Sequence, residues 1–394
     1  MKTLRMILCL MLAAALLSGA ALAETYTDDW GNGITLNFEL DDSLLQPLDI
    51  FDASYRLDFN STDEARDQAK ALLQTAMEMT FKEEIPEIFE TVGTASGVVQ
   101  LNAEREDDTS NERAHRDRYS ISYCDILQSN QYLSMERDLD ETLSALYGDQ
   151  DSFSYPAARD DFYVEHDFMT HDEADAKARA FMTAMRGEDS PFDVVLRDWY
   201  GITHEQFSDY FDWKLQHNDF KSAQTLNYFT GDDWTEKYDA YYLLYSYTYK
   251  GYPVCDNART SYSDTNSALH YSGSSSDCLI NRDGFVYANE YMLFDCDYTP
   301  YKDTPALTLY EALDVLKEYL GTLNGLNPIA INRVYVEYAA HMQSDDPACK
   351  YTYEPIWNFV ADMTTDSGVL EEYIVYRVNG HTGEIMTNGY GIIQ

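Results

Sequence analysis

The sequence predicts an α+β protein built of repeated modules, each a helix packed on an antiparallel β-sheet. Two observations predict it: one kind of helix start recurs three times, and runs of strand-like residues with turn signals follow. Ser61-Thr62-Asp63-Glu64-Ala65 opens the first helical run, Thr170-His171-Asp172-Glu173-Ala174 the second and Thr308-Leu309-Tyr310-Glu311-Ala312 the third. In each, the Ser or Thr hydroxyl can accept from the amide three residues on, while the Glu reaches back to the cap amide. Ala69-Lys70-Ala71-Leu72-Leu73 and Ala178-Arg179-Ala180-Phe181-Met182 then fall at the same offset inside the first two runs.

Strand material is clearest after the second and third starts. Residues 241–249 form a tyrosine-rich run that turns at Lys250-Gly251. Residues 278–281 and 285–294 read as a hairpin about Arg282-Asp283-Gly284, a strong turn signal. Residues 331–340, 356–362 and 371–378 read as three more strands, closed by the turn Asn379-Gly380-His381-Thr382-Gly383-Glu384-Ile385. A helix followed by an antiparallel meander gives an α+β class rather than a parallel, doubly wound sheet.

In chain order, residues 1–23 predict a secretory signal. Lys2 and Arg5 precede an apolar run over 6–17, and Ala21-Leu22-Ala23 has the small-x-small pattern of a cleavage site, so the cut is expected after Ala23. The apolar run is shorter than the about 20 residues a membrane span needs. The competing reading is an uncleaved anchor over 6–23. An N-terminal α+β module is expected over 24–165, a middle module over 166–300 and a C-terminal module over 301–394. The polar stretch 104–118 reads as a loop, the Ser-, Asn- and Asp-rich stretch 256–277 as a long exposed loop, and 299–305 as a linker.

A formal charge of −42 would repel phosphate backbones and anionic headgroups, which argues against nucleic-acid and lipid-surface binding. Loss of the leader removes two bases and no acid, so the secreted form is more acidic still. Solubility explains the acids, or attraction of cations or basic partners does. The 33 tyrosines suit half-buried strands, where the ring covers apolar surface and the hydroxyl stays wet, and they suit a binding face as well. Cys124, Cys255, Cys278, Cys296 and Cys349 survive cleavage, an odd number with no CxxC and no zinc spacing. A bridge among Cys255, Cys278 and Cys296 is allowed outside the cytoplasm, but the pairing cannot be read from spacing.

At the carboxyl end, Tyr353-Glu354-Pro355-Ile356-Trp357-Asn358-Phe359 and Tyr376-Arg377-Val378-Asn379-Gly380-His381-Thr382-Gly383-Glu384-Ile385 resemble a recurrent ending of secreted clostridial-type proteins. Together with Gly251-Tyr252-Pro253-Val254 and Asp283-Gly284-Phe285-Val286, they make residues 165–394 resemble the YycH/YycI regulatory fold, and the region is similar to the smaller PepSY modules. The resemblance implies a helix packed on an antiparallel sheet that binds or restrains other proteins, with no catalytic residues. The regulatory relatives keep a membrane anchor and this chain is expected to lose its leader, so control of a sensor kinase is not carried over.

No catalytic, cofactor-binding or metal-binding residue stands out. Asn281-Arg282-Asp283-Gly284 with Glu290 copies half of an EF-hand loop, but Leu279 stands where the first Asp belongs and strands flank it, so a β-turn is expected. His166, His171, Asp172 and Glu173 cluster without an HExxH, and capping already explains Glu173. Asp295, Asp297 and Asp303 could hold adventitious calcium. There is no GxSxG elbow, Walker loop or GxGxxG, and 69 acids neither support nor exclude a glycosidase with paired carboxylates. Trp199, Tyr200, Trp213 and Trp234 either pack the middle module or stack on sugars.

The expected function is that of a secreted, non-enzymatic binding or regulatory protein acting through sheet surfaces. Its partner would be a protein or peptide, or cell-wall or glycan material. The alternatives are a carbohydrate-active hydrolase, or a proteinase-inhibitor or chaperone-like module.

Overall fold

The structure is a computed structural model. It describes residues 24–53, 63–80, 87–92, 99–107, 115–122, 132–136, 162–187, 190–206, 208–209, 235–236, 239–255, 271–272, 276–290, 300–301, 304–323, 328–342, 351–364 and 370–386. In chain order the described elements begin with β1 (Glu24–Gly31), β2 (Ile34–Leu40), a 3-10 turn (Asp42–Leu45), β3 (Phe51–Ala53), α1 (Asp63–Thr80), β4 (Ile88–Val92), β5 (Val99–Asp107), β6 (His115–Ser122) and β7 (Tyr132–Glu136). Then come α2 (His171–Arg186), β8 (Phe192–Ile202), β9 (Ala240–Tyr249), β10 (Tyr252–Pro253), β11 (Tyr271–Ser272), β12 (Ser276–Asn281) and β13 (Gly284–Glu290). The last are α3 (Leu309–Thr322), β14 (Ile329–Met342), β15 (Tyr351–Thr364), β16 (Leu370–Asn379) and β17 (Ile385–Met386). Helices with antiparallel and mixed sheets make this an α+β protein.

The chain divides into two compact units: Met1–Ile50 with Tyr301–Glu337 and Glu354–Gln394, and Phe51–Pro300 with Tyr338–Tyr353. In the first, β2 alternates in burial, with Ile34, Leu36 and Phe38 inside and Thr35, Asn37 and Glu39 exposed, as a strand with one covered face should. The β1–β2 turn places Asn32 and Gly33 at φ 53° and 80°. A Cβ on Gly33 would also meet Pro328 Cα at 3.3 Å, so glycine answers both the turn and the close approach.

That approach sets a pairing no local pattern predicts. Ile329 N donates to Gly33 O at 2.9 Å, and β2 runs parallel to β14 through Ile34, Thr35 and Leu36 opposite Ile329, Ala330 and Ile331. The purely antiparallel sheet expected for this part of the chain is therefore corrected to a mixed one. α3 begins at the capping box of Thr308 and Glu311, as its start predicts. It buries Leu309, Ala312, Leu313, Leu316 and Leu320, a stripe at three- and four-residue spacing. Each such leucine contributes roughly 2 kcal/mol of hydrophobic stabilisation.

The second unit carries an antiparallel sheet. β8 pairs β9, β9 pairs β10 and β12, and the order continues through β13, β7, β6 and β5 to β4. α1 and α2 supply Ala69, Leu73, Ala76 and Met77, and Ala174, Ala178, Phe181, Met182 and Met185, to one core. The tyrosine run is the floor of that core. Tyr241, Tyr245, Tyr247 and Tyr249 are buried in it, whereas Tyr242, Leu244, Ser246 and Thr248 point to the other face and are half-buried. For these four tyrosines packing wins over a binding face.

Two loop expectations are corrected here. Of the stretch 104–118, residues 104–107 belong to β5 and 115–118 to β6, paired from Glu104 opposite Arg118 to Asp107 opposite His115, while 108–114 lie outside the described residues. Within 256–277, Tyr271 and Ser272 pair with β14, and Ser276 and Asp277 belong to β12.

The outer edge of β8 is occupied by side chains. Tyr247 O accepts from Val254 N at 2.8 Å, so Tyr247 turns its backbone groups away from β8, and its partner Val194 turns its own away from β9. Arg179 of α2 donates to Val194 O, and Arg186 to Phe192 O at 3.2 Å. Asp175 holds Arg179 at 2.8 Å, and Arg186 lies 4.6 Å over the ring of Tyr247.

Candidate functional site

Chemistry-bearing side chains of the second unit converge where residues 162–170 run along the end of β8 into α2. Thr170 caps α2, and its box with Glu173 is complete. Tyr163 forms an isolated parallel bridge with Gly201. A Cβ on Gly201 would lie 1.8 Å from Val164 O, so glycine there admits the segment.

On the helix face, Tyr241 fastens the segment. Its hydroxyl accepts from His166 N at 2.7 Å and faces Glu165 Oε2 at 2.8 Å and Met169 O at 3.0 Å. Glu165 also accepts from His171 N at 2.9 Å and closely contacts His171 Nδ1. The His171 ring stacks on Trp199, with centroids 4.2 Å apart and planes 4° apart. Partial burial works against the ionised Glu165, yet hydrogen bonds from His171 and Tyr241 hold its carboxyl below the usual range. Burial pushes His166 down and Tyr241 up, and His166 Nε2 lies 3.1 Å from Ala240 O. Glu165 thus serves as the acceptor that joins His171 and Tyr241 and clasps residues 165–171 to β9.

Trp199 reaches this face because of a bulge. Phe192, Val194 and Leu196 sit opposite Tyr249, Tyr247 and Tyr245, but the register shifts between Leu196 and Asp198. Trp199 and Gly201 then join the helix face, and Asp198 and Tyr200 the outer one. There Tyr163, Tyr200 and Tyr242 form a stacked ladder. Centroids lie 6.0 Å apart at 16° between the first two and 6.4 Å apart at 20° between the second two. Asp198 accepts the hydroxyls of Tyr163 at 3.0 Å and Tyr200 at 2.8 Å, and Asp277 accepts that of Tyr242 at 2.8 Å. Tyr200 and Asp198 are buried, while Tyr163 is 39% exposed and Val195, on the same face, 40%.

Of the residues singled out in the sequence, His166, His171 and Trp199 thus meet here, and Glu173 is confined to its cap. Asp172 lies 3.3 Å from His171 Nε2. Asn281 to Gly284 is a turn, with Asp283 N donating to Asn281 Oδ1 at 2.8 Å. Among the described residues no group of three or more His, Cys, Asp or Glu side chains could hold a metal ion. Trp213, Trp234, Asp295, Asp297, Asp303, Cys124, Cys296 and Cys349 lie outside the described residues, and Cys255 and Cys278 are buried. Tyr163, Glu165 and Asp198 were not singled out in the sequence; Asp198 has a local signal in the Asp-Trp-Tyr-Gly string at a strand end, and Tyr163 and Glu165 are brought in by the segment that bridges to Gly201.

The closing hairpin of the first unit holds a second polar cluster. Glu354, 2% exposed, accepts from Asn379 Nδ2 and pairs with His381 Nδ1, both at 2.6 Å. Asn379 Oδ1 accepts from His381 N and Thr382 N, and Gly383 sits at φ 73°. The residues that carry the family resemblance here build a turn.

A scan of protein families finds none that matches the chain, and a search of curated proteins finds no match either. Among the described residues no helix is long and apolar enough to cross a membrane.

Proposed function

We propose that the protein is secreted after cleavage behind Ala23 and works as a non-enzymatic binding or regulatory protein. Its binding surface is the outer sheet face of the second unit. The ladder of Tyr163, Tyr200 and Tyr242 carries the reading. Its hydroxyls are fixed by Asp198 and Asp277, so rigid amphipathic rings are presented with little conformational entropy left to lose. The face carries the exposed Tyr163 and Val195, with the half-buried Leu244 between them. Among the described residues β1 begins at Glu24, paired with Leu40, so a cut behind Ala23 keeps all of the described pairing. The likeness to the YycH/YycI and PepSY folds supports binding in the same sense.

The test is affinity capture from the native culture medium with wild-type protein and with Tyr163→Ser and Val195→Asp variants of unchanged fold. A partner held by wild type and lost by both variants is expected. Recovery of the same proteins with all three baits would remove this face from the reading.

A further inference from the structure

We propose that the open ring of Tyr163 docks a cationic side chain from a basic segment of a partner protein. The inference rests on the binding reading above and adds the chemistry of the occupant. Tyr163 is held by three contacts and stays 39% exposed: its ring stacks on Tyr200 and makes an edge-type contact with Trp199 at 5.3 Å and 64°, and its hydroxyl donates to Asp198. The ring is therefore already placed, and an arriving group need not order it.

An aromatic face carries the negative part of its quadrupole and attracts ammonium and guanidinium groups. Donation of the hydroxyl proton to a carboxylate makes the ring more electron-rich and strengthens that attraction. Half-buried Leu244 offers apolar surface next along the same face for the stem of a lysine or arginine, and exposed Val195 and Asp193, opposite Ser246 and Thr248, offer an apolar group and a carboxylate to residues further along the segment. The chain's net charge of −42 steers a basic segment towards it and an acidic or phosphate-bearing one away. A neutral glycan could use the same ring through stacking, without any of the charge.

The experiment titrates the secreted protein with a Lys/Arg-rich peptide, a Gln-substituted peptide of equal length and a neutral oligosaccharide, at about 0.05 M and about 0.5 M salt. Preferential binding of the basic peptide, weakened by the higher salt, is expected. Tyr163→Leu should weaken it about two- to fivefold, the range of an exposed cation–ring contact, while Tyr163→Phe keeps most of it. Arg197→Glu, which reverses an exposed charge on β8, should tighten it. Equal binding of the basic and Gln peptides, indifference to salt, or a Leu variant equal to wild type would overturn the inference. Binding of the oligosaccharide alone would overturn it too, yet leave the face as a binding surface. Failure of the capture experiment above removes that surface itself.

Discussion

Trp357 anchors the closing hairpin, and its replacement gives the most quantitative test of the fold. The side chain is 1% exposed, and its Nε1 donates to Leu307 O at 3.0 Å, just ahead of α3. Leu307 N donates in turn to Gly380 O at 2.6 Å, so the lead into α3 is tied to β15 and to the turn after β16. Truncating a buried aromatic to alanine costs about 3–5 kcal/mol, and leaving the Leu307 carbonyl without its donor adds about 1 kcal/mol. Trp357→Ala should therefore lower stability by about 4–6 kcal/mol, comparable to a small domain's whole margin. Trp357→Phe keeps most of the apolar contact and loses the indole donor, so about 1–3 kcal/mol is expected. Urea denaturation followed by far-UV circular dichroism reads both, as midpoint shifts at unchanged slope. Wild-type midpoints for both variants would refute the packing role and mark Trp357 as a ligand-stacking residue instead.

Gly201→Ala should dislodge residues 162–170, because its Cβ would fall 1.8 Å from the Val164 carbonyl, which is backbone and cannot swing aside. Faster amide exchange across that segment and altered Trp199 fluorescence are expected, and unchanged exchange would contradict the close approach. Glu165 has a folded pKa below its ordinary 4.5, so the stability it contributes is present above 4.5 and is lost as the pH falls through the depressed folded value. Glu165→Gln should flatten the acid end of the unfolding curve below about pH 4.5, with parallel wild-type and variant curves counting against the clasp.

Much of the architecture was legible because its signals are local. The capping boxes at Thr170 and Thr308 name their own helix starts, and Arg282-Asp283-Gly284 and Lys250-Gly251 name their turns. The parallel match of β2 with β14 was not legible, since it joins distant segments and depends on Gly33 meeting Pro328. The ladder was hidden for another reason. Strict alternation along β8 would put Trp199 on the outer face, and only the bulge at Arg197 moves Tyr200 there beside Tyr242. Tyr163 reaches it from outside the strand, through a bridge that no periodicity announces.

The arginines along β8 bear on how any partner can approach. Peptides that join a sheet by adding a strand use the outward amides and carbonyls of its edge, which are much the same for every sequence. On β8 the carbonyls of Phe192 and Val194 already accept from Arg186 and Arg179, and Tyr163 bridges to Gly201 at the other end. Backbone-led addition has no purchase on those stretches, and neither does the edge-to-edge pairing that drives sheet proteins to aggregate. Along those stretches of β8, the proposed recognition would be left to side chains on the sheet face, where a single substitution can exchange one partner for another.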